Sequence, residues 1–249
     1  MTFKNIKTAK EQFKISYLGG IGLSGKVRKS EKEGIYTYIL YLANSKLSGY
    51  NVCPNSTPEC RLGCLATSGR GGMNLSKYMA TRIKKTKLLF EHQKFFMEWL
   101  VAEIKNAIKK AKRKGFKLVV RLNGTSDIDW TKIKVYNKNI FEIFPEVKFY
   151  DYTKCPNRFA ALPKNYHLTF SYTGRNWEKC KKLLKKGFNV AAIFLKKIPK
   201  KFRGYRVVDG DITDLRIKDK RGIIIGLKWK HIRNKEIEKK IIKSCFVNI

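Results

Sequence analysis

Three cysteines lie close together in a segment rich in glycine, proline, asparagine and serine. They are spaced as C-x6-C-x3-C, at Cys53, Cys60 and Cys64. Thiolates bind zinc and iron–sulfur clusters, so the pattern predicts a shared metal site that holds zinc or, alternatively, an iron–sulfur cluster. A fourth ligand would come from Cys155, His92 or His167. Three unligated thiols are the other interpretation of this pattern.

Polar and acidic residues follow three strand-like runs. The carboxyl ends of parallel strands meet at one edge of a sheet, where βα enzymes place catalytic groups. We therefore predict that these residues form one site, with catalytic groups at Asp127, Asp209 and Asp211. The same strand ends supply the predicted substrate-binding residues Asn123, Ser126, Asp151 and Tyr152. For any single aspartate, a helix N-cap or an Asx-turn is the alternative.

Aromatic and basic residues alternate in the second half of the chain. Exposed aromatic rings stack on unpaired bases while neighbouring arginines hold phosphates. We therefore predict contacts with a single strand or a flipped nucleotide at Arg158, Arg175 and Trp177. Phe149 and Phe170 lie in strand-like runs and are assigned to the core.

The charge balance indicates a polyanionic partner. The chain has 55 Lys and Arg against 19 Asp and Glu, a formal charge of +36 on 249 residues. Such a chain repels itself unless a polyanion neutralises it, which favours nucleic acid. A general excess of surface lysine without any partner is the alternative. With 43% hydrophobic and 12% aromatic residues, the chain is too apolar for a disordered tail.

We expect a cytoplasmic protein without a membrane partner. No apolar run approaches the roughly 20 residues that cross a bilayer. The first residues, Met-Thr-Phe-Lys-Asn-Ile-Lys, lack the apolar core of a secretory signal. In a reducing compartment, clustered cysteines favour metal binding or catalysis over disulfides.

We expect residues 1–249 to fold as a single α/β domain with three successive parts. The cysteines lie in a loop over residues 48–72, and βα units fill residues 117–230. Residues 1–50 contain two strand-like runs that predict a hairpin or an edge flap, Phe13–Leu18 and Ile35–Leu42.

The spacing of apolar residues predicts helices and strands for most of the remaining chain. Apolar residues recur at helical spacing between Asn74 and Lys114, and Gly115 follows as a C-terminal cap would, so one or two helices are predicted. A shorter amphipathic helix is predicted at Trp177–Lys186. Six β-rich runs occupy the rest: Leu118–Leu122, Val147–Tyr150, His167–Tyr172, Val190–Leu195, Arg206–Val208 and Ile223–Leu227.

Strands that alternate with helices favour a parallel sheet. Six such strands, with two from the N-terminal third, suffice for a complete or distorted (β/α)-barrel with an N-terminal hairpin and a cysteine-bearing loop. An open doubly wound sheet is the competing architecture.

Several motifs together resemble the gene-product-88-like family of phage and plasmid proteins. The resemblance covers about residues 35 to 230 and includes Cys-Pro-x5-Cys-x3-Cys-Leu-Ala at Cys53 and Arg-Leu-Asn-Gly-Thr-Ser-Asp at Arg121. The block from Pro145 to Lys154 and the late Val208-Asp-Gly-Asp211 complete it. If the chain is phage-encoded, it works in the host cytoplasm.

More weakly, the chain is similar to tRNA-guanine transglycosylases, including phage enzymes that exchange guanine in DNA for a 7-deazaguanine. This likeness implies DNA rather than RNA as the polymer and a modified purine base as the small-molecule substrate. It implies that Asp209 or Asp211 attacks the sugar, that Asp127 handles the proton and that Asp151 reads the base edge. The cysteine cluster is early here, whereas those enzymes carry their zinc cysteines late.

The sequence thus supports three hypotheses. The first is a nucleic-acid-modifying enzyme, specifically a glycosyltransferase that exchanges a base in DNA. The second is a replication-associated or single-strand-binding protein without catalysis. The third is an iron–sulfur radical enzyme.

Overall fold

The computed structural model describes residues 6–23, 25–64, 68 and 75–248, which form eight helices and twelve strands. The helices are α1 (Ile6–Phe13), α2 (Gly25–Lys29), α3 (Pro58–Leu62), α4 (Leu75–Glu91), α5 (Gln93–Arg113), α6 (Ile140–Ile143), α7 (Trp177–Lys185) and α8 (Lys235–Lys243). The strands are β1 (Gly19–Ile21), β2 (Ile35–Leu40), β3 (Lys117–Arg121), β4 (Lys134–Val135), β5 (Lys138–Asn139), β6 (Lys148–Thr153), β7 (Tyr166–Ser171), β8 (Asn189–Phe194), β9 (Lys201–Phe202), β10 (Tyr205–Asp209), β11 (Ile224–Lys228) and β12 (Val247–Asn248). Of the predicted cysteine loop, residues 65–67 and 69–72 lie outside the described residues. Within the described residues, every helix is too short or too polar to cross a bilayer.

One mostly parallel sheet organises the fold. Its strand order is β1-β2-β3-β6-β7-β8-β11-β10-β9, and β12 also pairs with β8. The pairings from β2 to β10 are parallel, whereas the edge pairs β1–β2 and β9–β10 are antiparallel. The α/β class is confirmed. Among the described strands β1 and β9 end the pairing order and do not pair with each other, so a closed barrel is not confirmed.

Side chains alternate between the two sides of each strand, and this separates the sheet into a helix face and a second face. On β3, Val120 lies on the helix face, in the core that α1, α4, α5, α6 and α7 cover. Val119 lies on the second face, with Ile35 and Tyr150. These five helices therefore share one side of the sheet. The other side receives loop residues and, at Ile193 of β8, the helix α8.

A strap, residues 211–222, covers part of the second face. Its Leu215 packs against Val119 and Tyr150. The Arg121 Nη1 atom of β3 donates to Asp214 Oδ2 at 2.8 Å, and both side chains are at most 12% exposed. The Tyr150 hydroxyl donates to the same carboxylate oxygen at 3.3 Å. A buried ion pair and an apolar contact thus hold the strap on the sheet.

The predicted strand Phe13–Leu18 is wrong. The helix α1 ends at Phe13, a loop follows, and the antiparallel neighbour of β2 is β1. The carboxylate of Glu103, on α5, accepts the backbone N–H of Leu18 at 2.8 Å and that of Gly19 at 3.0 Å. A distant side chain therefore satisfies amides that a longer strand would have paired. Antiparallel pairing at this edge does occur, but with a strand that begins at Gly19.

Most other predicted elements are confirmed. The six β-rich runs correspond to β3, β6, β7, β8, β10 and β11, with ends displaced by one to three residues. The helical spacing after Asn74 corresponds to α4 and α5, and Gly115 adopts a positive φ of 69° just beyond α5. The helices α1 and α8 were not predicted.

Candidate functional site

The cysteine loop lies across the carboxyl ends of the parallel strands. The Asp127 N–H, after β3, donates to the carbonyl of Val52 at 2.7 Å. Asn55 Nδ2 donates to the carbonyl of Lys154, after β6, at 3.2 Å. The loop therefore covers the edge at which βα enzymes place reactive groups.

The far part of the loop is held by the C-terminal third of the chain. Glu59, on α3, pairs with the exposed Arg175, after β7, at 3.6 Å. Gly63 lies against the Trp229 ring so closely that a Cβ there would be 2.7 Å from it. The Trp229 indole N–H in turn donates to Glu238 of α8 at 2.9 Å. The loop is thus anchored on both sides of the strand ends.

Asp127 joins the loop to two strand ends. Its Oδ1 atom accepts Arg158 Nη1 at 2.7 Å, and its Oδ2 atom accepts the Lys154 N–H at 2.9 Å. Arg158 also donates to the Asp127 carbonyl through Nη2. The ion pair is buried, with the two side chains at most 11% exposed. The structure therefore brings predicted catalytic Asp127 and predicted substrate-binding Arg158 together, but as partners of each other.

Lys154 lies among the thiols of the loop. Burial alone lowers the pKa of its ammonium group, but Cys60, Asp127 and Cys53 raise that pKa above its ordinary value. Among the groups that raise this pKa, Cys60 contributes most, so its thiol lies near the Lys154 ammonium group. An ammonium group beside a thiol is an arrangement that activates cysteine as a nucleophile. We call Cys53, Cys60, Asp127 and Lys154 the thiol–lysine cluster.

The other thiols have different surroundings. Burial is the main cause that raises the pKa of Cys53, whose thiol donates to the carbonyl of Thr125 at 3.9 Å. Cys64 interacts with the guanidinium of Arg82. Within the part of the chain that the structure describes, no three His, Cys, Asp or Glu side chains form a group that could hold a metal ion. The metal site at the three cysteines therefore stays a prediction.

Three of the predicted substrate-binding residues are hydrogen-bonded inside the protein. Asn123 Oδ1 accepts Ser126 Oγ at 2.8 Å and Trp130 Nε1 at 3.2 Å. The Asn123 N–H donates to Asp151 Oδ1 at 2.7 Å, and Tyr166 donates to Asp151 Oδ2 at 3.0 Å. Asp151 is fully buried, and burial is the main cause that raises its pKa to about 7. These residues fix the end of β3 against β6.

The remaining aromatic and basic predictions lie in three different places. Trp177 packs edge-on against Tyr172 and Phe202, with ring centroids 5.8 and 6.0 Å away. Tyr152 lies under the Arg121 guanidinium, 5.1 Å from its ring centre. Arg175 is 76% exposed beside Glu59. Of the three, Arg175 is the one open to a nucleic acid.

Asp209 and Asp211 occupy another part of the sheet edge. In the strand order, β6, β7, β8 and β11 lie between their strand and β3. Asp209 Oδ1 accepts the Asp211 N–H at 2.7 Å, which is an Asx-turn. Asp211 Oδ2 accepts the Lys228 N–H at 2.7 Å, and Lys230 lies 3.6 Å from Asp211 Oδ1.

A basic hollow adjoins Asp209. It has a volume of about 450 Å³, and four lysines outnumber the single carboxylate in its lining: Lys196, Lys197, Lys200, Lys228 and Asp209. We call it the lysine cleft. Its charge suits the phosphates of a nucleic-acid strand.

The sequence analysis did not predict the contacts that Lys154, Arg121 and Asp214 make. Lys154 had a usable signal, because it closes the second of the three acidic strand ends and directly precedes Cys155. Arg121 and Asp214 are 93 positions apart in the chain, so no local sequence pattern indicates their ion pair.

These features define a mixed α/β protein with a mostly parallel sheet, a cysteine loop over its carboxyl edge and a thiol–lysine cluster where that loop meets the strand ends. The family model described as Gene product 88 matches residues 2–245, and the chain belongs to this family. The resemblance seen in the sequence is thereby confirmed, whereas the likeness to transglycosylases gains no support. Neither the curated proteins nor the solved structures include a significant match to the chain.

Replacing Arg158 with methionine should destabilise the site, because the buried Asp127 carboxylate loses its charge partner. We expect the free energy of unfolding to fall by about 3–5 kcal/mol. Denaturant titration measures it. The matched control is Lys181→Met, which removes the exposed pair with Glu178 and should cost at most about 0.5 kcal/mol. Equal losses in the two variants would show that the Asp127 pair does not hold the loop.

Proposed function

We propose that this protein is a nucleic-acid-modifying enzyme whose reaction centre is the thiol–lysine cluster. The observation that carries the proposal is the placement of Lys154 near the Cys60 thiol, where Asp127 and Asn55 hold its backbone against the cysteine loop. The pKa values of Lys154 and Cys53 are both raised, and shifted pKa values are typical of functional sites. The formal charge of +36 supplies the affinity for a polyanionic substrate.

In this proposal Cys60 is the nucleophile and Lys154 is its charge partner. The thiolate adds to an electrophilic ring carbon of a base, so that a carbon–sulfur bond forms as a ring double bond breaks and the ring takes up a proton. Elimination later restores the double bond and releases the proton and the thiolate, so the covalent intermediate divides the reaction into two steps. Asp127 and Arg158 act indirectly, because their ion pair positions Lys154 and the loop. The lysine cleft holds the phosphates of the strand.

The base-exchange reaction is a less well supported form of this proposal. It requires Asp127 and Asp209 or Asp211 to act on one sugar. Asp127 is paired with Arg158, whereas Asp209 and Asp211 form a turn beside Lys228. The different surroundings of these carboxylates favour the thiols as the reacting groups.

An iron–sulfur enzyme is the second candidate, and the position of the cysteines favours it. Cys53, Cys60 and Cys64 are all partly exposed on one loop at the carboxyl edge of the sheet. Thiolates that ligate such a cluster would accept hydrogen bonds from the Lys154 ammonium group. Thiolates bound to zinc would accept the same hydrogen bonds, so the donor set suits either metal centre.

A binding protein without catalysis is the third candidate, and the lysine cleft favours it. Its four lysines at one cavity would hold backbone phosphates without any reacting group. In that case, removing the thiol–lysine cluster would leave nucleic-acid binding unchanged.

Replacing Lys154 with methionine should abolish modification, because Cys60 loses its charge partner. Mass spectrometry of nucleosides from the DNA and RNA of expressing cells measures the effect. We expect a nucleoside that is present with the unchanged protein and absent with Lys154→Met. Lys148→Met, which changes an exposed lysine at the start of the same strand, should retain it. Identical nucleoside profiles with and without the unchanged protein would contradict the enzyme proposal.

Metal analysis after purification without oxygen separates the candidates. The nucleophile proposal predicts substoichiometric iron and zinc and a Cys60 that reacts with iodoacetamide. Stoichiometric iron and sulfide, lost in Cys60→Ser and kept in Cys245→Ser, would establish the iron–sulfur candidate instead. Cys245 is the suitable control because it is exposed and lies outside the cysteine loop.

A further inference from the structure

A hollow of about 270 Å³ opens between the strap and the β10 side of the second face. Four basic side chains and two carboxylates line it: Arg206, Arg216, Lys218, Lys220, Asp209 and Asp219. The basic groups outnumber the acidic groups two to one. The hollow is separate from the thiol–lysine cluster, with which it shares no residue.

Arg216 is the most buried of these charged groups, with a side chain that is 1% exposed. Its Nη2 atom donates to the carbonyl of Thr213, and its Nη1 atom lies 3.2 Å from Asp219 Oδ2. Within the described residues, Nε and Nη1 have no hydrogen-bond partner of acceptable geometry, and neither does Asp219 Oδ2. Buried donors of a charged group are costly to leave unsatisfied. The guanidinium therefore has capacity for an acceptor from outside the chain.

The other charges leave the hollow positive. Asp219 is the ion-pair partner of Arg216; burial raises the pKa of its carboxyl group, whereas Arg216 lowers it. Lys218 pairs with Glu33, outside the hollow. Among the described residues, Arg206 and Lys220 take part in no ion pair. Arg206 and Lys220 thus line the hollow together with the buried Arg216, whose guanidinium has N–H donors without an acceptor.

We propose that this hollow binds a phosphate group. The guanidinium fork of arginine matches two phosphate oxygens, and surrounding cations neutralise the remaining charge. The volume is at the lower end of small-ligand sites, which suits a phosphate with a small attached group. The phosphate belongs either to a free nucleotide or to the backbone of a nucleic acid, and both present the same oxygens to Arg216.

Binding measurements on the full chain at physiological ionic strength test this site. The probes are inorganic phosphate, a nucleoside 5′-monophosphate and a short single-stranded oligonucleotide. The test variant combines Arg206→Met and Lys220→Met, which leaves the buried Arg216 in place. The control variant combines Lys182→Met and Lys185→Met, which removes the same charge from α7 on the opposite side of the sheet.

We expect the test variant to weaken binding by about tenfold or more while the control variant changes it little. If phosphate and the nucleotide show this difference, the ligand is a free phosphate compound. If the oligonucleotide alone shows it, the ligand is the backbone. Equal binding by the two variants for all three probes, or no saturable binding of any probe, would overturn the proposal. Because the thiol–lysine cluster is intact in both variants, this result is independent of the proposed enzymatic function.

Discussion

The buried ion pair between Asp127 and Arg158 is the contact on which the site depends. Asp127 bonds to the cysteine loop through Val52, to the end of β6 through Lys154 and to the following turn through Arg158. A carboxylate this buried is tolerable only when every oxygen is paired. The pairing fixes the backbone of Lys154, and the side chain of Lys154 is thereby placed beside Cys60. The Cys60 thiol, the Lys154 ammonium group and the loop that covers them are thus one connected unit.

The sheet explains why the proposed reaction centre and the proposed phosphate-binding hollows lie apart. Five helices, α1 and α4 to α7, take one face, so the carboxyl edge and much of the second face are left to loops and charged side chains. The cysteine loop covers the edge near β3 and β6, whereas the lysine cleft and the Arg216 hollow lie at β10. A nucleic acid that contacts both regions would run along the edge of the sheet, with its phosphates on the basic hollows and a base at the thiols.

Local patterns in the sequence were enough to predict α5, α7 and the parallel strands, because periodicity and terminal glycines are local properties. The failure at Phe13–Leu18 came from Glu103, a residue about 85 positions away in the chain. The prediction that Asp127 and Asp209 lie at one site did not consider the strand order. Four strands separate β3, which precedes Asp127, from β10, which ends at Asp209. Trp177 has the sequence context of a stacking residue, but α7 packs it against Tyr172. The cysteines and the charge indicated the candidate site, whereas its hydrogen bonds and ion pairs depend on long-range contacts.

Photo-crosslinking of a bound oligonucleotide, followed by peptide mapping, tests the central claim most directly. The claim is that nucleic acid reaches the thiol–lysine cluster at the carboxyl edge of the sheet. The account predicts crosslinks in peptides that contain residues 48–64 and 150–158, together with residues 196–200 of the lysine cleft. Crosslinks confined to the outer surfaces of α4, α5 and α7 would contradict it, because the helix face would then be the binding surface.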